Sequence, residues 1–329
     1  MSDGVPWAFI VWAPHSRRSE VFAKAFQGKL HCIYYPRFQT PIYTPARYVL
    51  QALRTLQALF TERPRAVHVQ NPPVICGLVV GIYCYITRTK FVFDHHSAAF
   101  DHVWEWALPI QKLLARRAVT NIVTTQHWAD IVSSWGAHAL IMGDPFLALP
   151  TVEAFSAGTG FRLAFISTFS PDEPLEAVVR AATELPQVHV YITGDAKNKP
   201  KSFHDSLPTN VTCTGFLSDA QYIGLLRAVD VIMALTTRNH TLQLGGVEAV
   251  SIGQPLITSD WPFLREFFPK GTVYVNNTSD GIRDGILLMM NERVRLKREI
   301  AVLRDEKRQQ WTLQAAKLDE LVAQAINAH

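Results

Sequence analysis

Short, wholly apolar runs alternate with helix-patterned stretches along nearly the whole chain, and no other feature constrains the fold as much. Trp7–Trp12, Leu30–Tyr34, Ala66–Val69, Phe91–Asp94 and Asn121–Thr124 read as strands. Between them, helices are predicted after Arg18 to about Gln27 and over Pro45–Thr61, Val74–Thr87, His102–Ala118 and Gln126–Trp135. Residues Leu147–Gly160, rich in Pro, Ala and Gly, suit a linker, and the alternation then restarts. Strands are expected at Arg162–Ser167, Val188–Thr193, Val211–Thr214, Val231–Leu235, Pro255–Thr258 and Thr272–Val275. Helices are expected over Pro174–Glu184, from the capping-box spacing at Ser218–Gln221 to Arg227, and near Ser279–Met290 before a long polar helical end. Strands without a polar face are covered on both sides, which means parallel, doubly wound α/β sheets. The 329 residues suit two such domains, 1–150 and 151–329. Neither first strand leads into GxGxxG, which argues against a dinucleotide site.

Composition removes several classes. Cys32, Cys76, Cys84 and Cys213 lack CxxC spacing, so neither a zinc site nor a disulfide framework is expected. The start, MSDGVPWAFIVWAPH, reads as a first strand and not as a signal peptide, and Val74–Ile86 is shorter than the ~20 residues a membrane span needs. A cytoplasmic chain is expected. Charge is uneven: residues 1–150 hold 14 Lys and Arg against 8 Asp and Glu, and residues 151–329 hold 18 against 20. The basic first half suggests an anionic partner. No helix rich in Arg and Asn reads as a recognition helix, so nucleic acid is not expected.

The stretch Arg238–Pro255, RNHTLQLGGVEAVSIGQP, follows the strand Val231–Leu235 and passes through polar residues into a short helix that stops at Gly253. A strand, a polar turn and a helix N-terminus form an anion site, because amide N–H groups and the helix dipole point the same way. Gly245 and Gly246 would let a ligand approach the backbone, and Glu248 could accept hydrogen bonds from paired hydroxyls, as on a ribose. An ordinary strand–helix–strand unit with one exposed acid fits the spacing as well.

Glu248, Gly253 and Pro255 resemble the second half of the nucleotide-sugar motif of GT-B glycosyltransferases, particularly the family 4-like enzymes. The resemblance implies two Rossmann-like doubly wound domains facing a cleft, with donor in the second domain and acceptor in the first. It implies that Glu248 holds the ribose. The loop, through His240, Thr241, Leu242 and Gly245, and Gly194 at another strand end, would hold the rest of the donor. The family's first acid falls at position 241 or 240, where this chain has Thr241 and His240. Ser167–Pro174, STFSPDEP, resembles a stretch of the lipid-linked oligosaccharide β-1,4-mannosyltransferases; Ser170, Pro171 and Glu173 also have capping-box spacing. The family's Arg and Lys for the diphosphate are missing there, and Arg238 is the candidate substitute cation.

The first half supplies Asp94, His95, His96, Asp101 and His102 at a strand end. Histidine exchanges protons near neutral pH and an adjacent carboxylate can orient it. FDHHSAAF resembles the Asp-x-His-Asn turn of the same mannosyltransferases, which points to His96 as the catalytic residue with Asp94 beside it. The Asp/His spacing matches no standard ligand set, so no metal and no cofactor beyond the donor are expected. Gln70-Asn71-Pro72-Pro73 resembles a turn on the acceptor side, a reading that includes Asn71. Arg17 and Arg18 in the first β–α turn could grip an acceptor phosphate. The expected activity is metal-independent hexosyl transfer to a lipid-linked or polysaccharide-precursor acceptor. Trp104, Trp106 and Arg116-Arg117 suit peripheral contact with the inner face of a membrane. The alternatives are an inactive GT-B accessory subunit and a nucleotide-sugar epimerase.

Overall fold

The computed structural model describes residues 7–36, 40–143, 153–156, 158 and 160–328. Most of the linker expected at Leu147–Gly160 lies outside them. The chain forms two compact units: Met1–Pro145 together with Trp311–His329, and Phe146–Gln310. A single cut at 150/151 therefore leaves the end of the chain with the wrong unit.

In the first unit, β1 (Trp7–Val11), β2 (Lys29–Cys32), β3 (Ala66–Asn71), β4 (Lys90–His95), β5 (Thr120–Val123) and β6 (Ala139–Ile141) form one parallel sheet in the order β2-β1-β3-β4-β5-β6. Between them run α1 (Arg17–Ala25), α2 (Thr44–Glu62), α3 (Val74–Thr87), α4 (Leu108–Arg117) and α5 (Gln126–Ser134). The period of two divides the strands. Ala8, Ile10, Val67, Val69 and Phe93 face one way, with Leu59 of α2 and Val74, Val80 and Tyr83 of α3. Trp7, Phe9, Val92, Ile122 and Leu140 face the other, with Phe22 of α1. That second face is closed by Leu318 and Val322 of the last helix, α11 (Ser279–Asn327). The helix expected over His102–Ala118 is instead a 3-10 segment, His102–Ala107, followed by α4. Pro109 explains the break, since proline has no N–H to give and is accepted only in a first turn.

The second unit holds β7 (Phe161–Phe165), β8 (Val188–Thr193), β9 (Val211–Gly215), β10 (Val231–Ala234), β11 (Leu256–Ser259) and β12 (Thr272–Val275), again all parallel, in the order β12-β11-β10-β7-β8-β9. This is the Rossmann order, whereas the first unit has the other common doubly wound order, turning between β1 and β3. Its helices are α6 (Leu175–Thr183), α7 (Lys201–Asp205), α8 (Asp219–Ala228), α9 (Leu244–Ile252), α10 (Pro262–Phe267) and the first part of α11. Leu163, Phe165, Val190 and Met233 pack on α6 and on Ile282, Ile286 and Met289 of α11. Ala164, Ile232 and Ala234 pack on α8 and α9. The Ser218–Gln221 capping box forms as expected. Gly253 ends α9 with φ 74, a conformation that costs glycine no Cβ clash.

Candidate functional site

In the second unit the sheet changes direction between β7 and β10, and the carboxyl ends of those strands carry the loops the motif analysis singled out. The loop after β7 is held by its own acids. The Glu173 carboxylate accepts from Ser167 Oγ at 2.6 Å, from Thr168 N at 3.0 Å and from Thr168 Oγ1 at 2.9 Å. Glu173 therefore braces the loop and does not close a capping box with Ser170; α6 starts after Pro174, as proline at that place dictates. Asp172 joins this loop to the next one. Its carboxylate accepts from Thr236 Oγ1 at 2.8 Å, and its carbonyl from Thr237 N at 2.8 Å. Burial raises the Asp172 pKa, but the hydroxyls of Ser170 and Thr236 and the charge of Arg238 outweigh it and hold the group below the usual carboxylate range.

The loop after β10 is fixed at its root. Thr236 N donates to Ser259 Oγ at 2.9 Å, and Thr236 O accepts from Trp261 Nε1 at 3.0 Å and Asn277 Nδ2 at 2.9 Å. Arg238 is exposed, and His240 is half-buried with φ 55. Leu242 packs into the core beside α9 and Thr241 is half-buried. Gln243 leads into α9 without a side-chain cap on the helix, and its amide nitrogen donates instead to Leu235 O at 2.6 Å. No side chain caps the first turn of α9, in which the Gly246 amide donates to Gln243 O at 3.1 Å.

The glycines serve packing. A Cβ on Gly245 would lie 2.8 Å from the Ile166 side chain, and one on Gly246 would lie 2.8 Å from the Phe268 ring. The expected close approach of a ligand there is instead the close approach of α9 to its neighbours. Gly194, with φ 97, lets the end of β8 pass the Ser167 carbonyl. Glu248 lies in the second turn of α9, only 3% exposed, so it is not the exposed acid of the simpler reading. Its Oε2 accepts from Tyr222 Oη of α8 at 2.5 Å. Nothing local in the sequence marks Tyr222; the contact exists because α8 and α9 pack on the same face of the sheet.

The first unit places its candidate residues differently from expectation. Arg18 is buried, and its guanidinium forks onto Asp94, with Nε to Oδ2 at 2.9 Å and Nη2 to Oδ1 at 3.0 Å. A third bond runs from Nη2 to Met142 O at 3.1 Å. Arg18 is therefore not a grip for an acceptor phosphate, since its charge is spent inside the fold. Asp94 is likewise fully buried and touches no solvent, so it positions neighbours and is not a catalytic carboxylate. Burial pushes its pKa up, but the Arg18 guanidinium prevails and holds it well below the usual range. His68 Nε2 lies 3.5 Å from Asp94 Oδ2, with the ring against Phe9 and Phe22. His96 Nε2 lies 3.9 Å from the same oxygen and is itself buried, while the His96 side chain as a whole is 32% exposed, unlike those of His68 and His95. Arg17 is half-buried at the start of α1.

Asn71, expected on the acceptor side, is also fully buried and bonds to His95. The Asn121 amide nitrogen donates to Ala115 O and His138 O, so its oxygen must accept from His95 Nε2, at 3.0 Å. His95 Nδ1 then accepts from Asn71 Nδ2, at 3.0 Å. This arrangement suits only the neutral ring, and burial lowers the pKa of both His95 and His68 to about 4. Among the described residues no group of three His, Cys, Asp or Glu is arranged to hold a metal ion.

Comparison with known proteins bears on both halves. Residues 160–292 match the family described as Glycosyl transferases group 1, over less than half of the chain. Solved structures align along nearly all of it. HepE of Anabaena, crystallised with UDP-glucose, is 14% identical with a TM-score of 0.70, over 99% of this chain and 100% of that one. Sucrose-phosphate synthase of Thermosynechococcus elongatus is also 14% identical, with a TM-score of 0.75, over 99% and 100%. The fold is GT-B. A glycosyltransferase from Rickettsia africae shares this GT-B architecture at 9% identity and a TM-score of 0.64, over 98% and 90% of the two chains. No curated protein matches the sequence. The match to the mannosyltransferase group suggested by FDHHSAAF and STFSPDEP is not among these similarities, and the family match falls on the unit that carries Glu248.

Proposed function

We propose that the protein is a metal-independent hexosyltransferase that binds a nucleotide-diphosphate sugar at the carboxyl end of the second unit's sheet. The observation that carries this reading is the uncapped N-terminus of α9, framed by the braced loops after β7 and β10, with Glu248 one turn further in. A helix N-terminus suits a diphosphate, and a fixed carboxylate suits the two hydroxyls of a ribose. HepE was crystallised with UDP-glucose, which supports a nucleotide-sugar donor here. Transfer needs the leaving diphosphate stabilised and the acceptor hydroxyl held in line. We assign the first task to α9, Arg238 and the loop through His240 and Thr241. We assign the catalytic role to His96, and Arg17 to the acceptor side. Replacing Arg238 with Ala is expected to weaken a nucleoside diphosphate about tenfold while leaving the bare nucleoside nearly unchanged, because only the former loses a charge-assisted bond. Calorimetric titration of both ligands checks this, and equal losses would remove Arg238 from the site. A second reading, a GT-B binding subunit without transfer activity, is favoured by Thr241 and His240 standing where the family has its first acid. Tight nucleotide binding without sugar turnover would select it.

The acceptor in this reading is lipid-linked or a polysaccharide precursor, presented at a membrane surface. α3 packs against both α2 and α4, and these helices share the face covered by Leu59 and Tyr83. Their outer side exposes Val49, Leu53, Phe60, Ile82, Tyr85, Ile86 and Leu113, with Trp106 just ahead of α4. Tyr85 is 75% and Trp106 62% exposed, more than rings in water need to be. Arg117 lies 5.5 Å over Tyr85, and Arg54 and Arg116 are exposed nearby in sequence. Apolar side chains with interspersed arginines match an anionic bilayer surface. No helix among the described residues is long and apolar enough to cross a membrane. The double variant Leu53→Asp/Trp106→Asp is expected to lose roughly tenfold or more in co-sedimentation with phosphatidylglycerol vesicles. Undiminished binding of that variant would refute the surface.

A further inference from the structure

The second unit carries an unexplained concentration of positive charge at the amino ends of its strands, the opposite end from Thr236 and the N-terminus of α9. A cavity of about 440 Å³ is lined there by Arg162 at the start of β7, Arg227 at the end of α8, and Arg293, Lys297 and Arg298 of α11. One carboxylate, Asp230, lies among them. It is already shared: Arg162 Nε is 3.0 Å and Arg293 Nη1 2.6 Å from its oxygens. Lys297 Nζ donates to a neutral partner, Gln254 Oε1, at 2.5 Å. The guanidiniums of Arg227 and Arg298 have no hydrogen-bond or ion-pair partner among the described residues. Burial lowers the Lys297 pKa, and Arg304 and Arg293 push the same way as like charges. This crowding occurs in a half of the chain with no cationic excess, 18 Lys and Arg against 20 Asp and Glu over residues 151–329. Surface charge spread for solubility would not converge on one cavity with a single shared acid.

We propose that this cavity is a second anion site, separate from the donor site, that takes a multiply charged phosphate-bearing group. Guanidiniums match phosphate oxygens in pairs, and four of the five cations are arginines. The space exceeds the ~30 Å³ share of a water molecule many times over, so it admits a group larger than one phosphate. Arg227 and Arg298 supply unspent charge, and Arg162 and Arg293, held in place by Asp230, supply fixed donors. Because Asp230 precedes β10 and the Thr236 loop follows it, an anion here does not compete with a nucleotide at α9.

Hydrogen exchange of the full chain, with and without inorganic pyrophosphate at low salt, tests this. The expected result is protection confined to segments around 227–230 and 293–298. Arg227→Ser/Arg298→Ser, two exposed positions, is expected to raise the half-saturating concentration at least about tenfold. Arg295→Ser, whose arginine is paired with Glu292 and Glu299 on the same helix, is expected to leave it unchanged. A parallel arm uses phosphatidylglycerol vesicles. Protection by pyrophosphate identifies a soluble phosphate compound as the source, and protection of these segments by vesicles alone identifies a lipid headgroup. No protection by either probe, or equal protection in the double variant, overturns the proposal. Neither result depends on whether a nucleotide binds at Glu248.

Discussion

Glu248→Ala is expected to lower the affinity for the cognate nucleotide by about 100-fold, roughly 3 kcal/mol, while the protein stays folded. On the proposed reading the carboxylate takes two ribose hydroxyls, and hydrogen bonds to a charged group are worth about 1.5–3 kcal/mol each, so the loss of both outweighs any single neutral contact. The acid is preset for this. It lies in a regular helix, 3% exposed, and Tyr222 fixes one oxygen at 2.5 Å, so little ordering remains for the ligand to cause. Tyr222→Phe keeps the carboxylate but frees it, and a loss of about threefold to tenfold is expected. Calorimetry with UDP and GDP measures both variants, with thermal melting to show that each is folded. If Glu248→Ala binds as wild type does, the donor site is not at α9, and the glycosyltransferase reading loses its main support.

Acid should unfold the first unit well before it unfolds an average domain. His68 and His95 titrate at about 4 in the fold, against about 6.5 in the unfolded chain. Between these values the unfolded chain holds up to two more protons, so stability falls as pH falls from about 6.5 to about 4. The cost is about 3 kcal/mol per histidine, together comparable with the 5–15 kcal/mol of a whole domain. Asp94 acts below that window. Its pKa is lowered in the fold, so its contribution is complete above the unfolded carboxylate value and is lost as pH drops below it. Hydrogen exchange in β3 and β4 at pH 7, 5.5 and 4.5 reads this locally. His68→Leu should flatten part of the slope. Exchange rates that follow only the intrinsic pH dependence would mean these histidines are not held neutral. Asp94→Asn should cost about 3–5 kcal/mol at neutral pH, because it strands the buried Arg18 charge.

The α/β class and most elements were legible because the strands are short and apolar throughout; β8, for example, lies where Val188–Thr193 places it. β6, three residues beyond a turn at Gly136, is too short to show any period. The sheet orders were not legible either, since alternation dictates parallel strands but not which neighbours pair. The site was read in part. Glu248 stands on α9 as its motif implies, whereas Arg18 looked like a surface cation. Its partner Asp94 is 76 residues away, so local reasoning about a polar β–α turn had no means to see the pair. Asn71 and the two glycines of α9 failed the same way: their chemistry was read for a ligand, and the fold uses it for packing.

The return of α11 to the first unit has a consequence for how the protein is made. The strands of that unit are synthesised first, yet Phe22, Ile122 and Met142 are covered by Leu318 and Val322. During translation β1 to β6 must therefore wait, with one apolar face incomplete, while all of β7 to β12 is made. The unit that begins first finishes last, so until Leu318 and Val322 are available the first unit keeps an unsealed apolar face, a natural target for a chaperone.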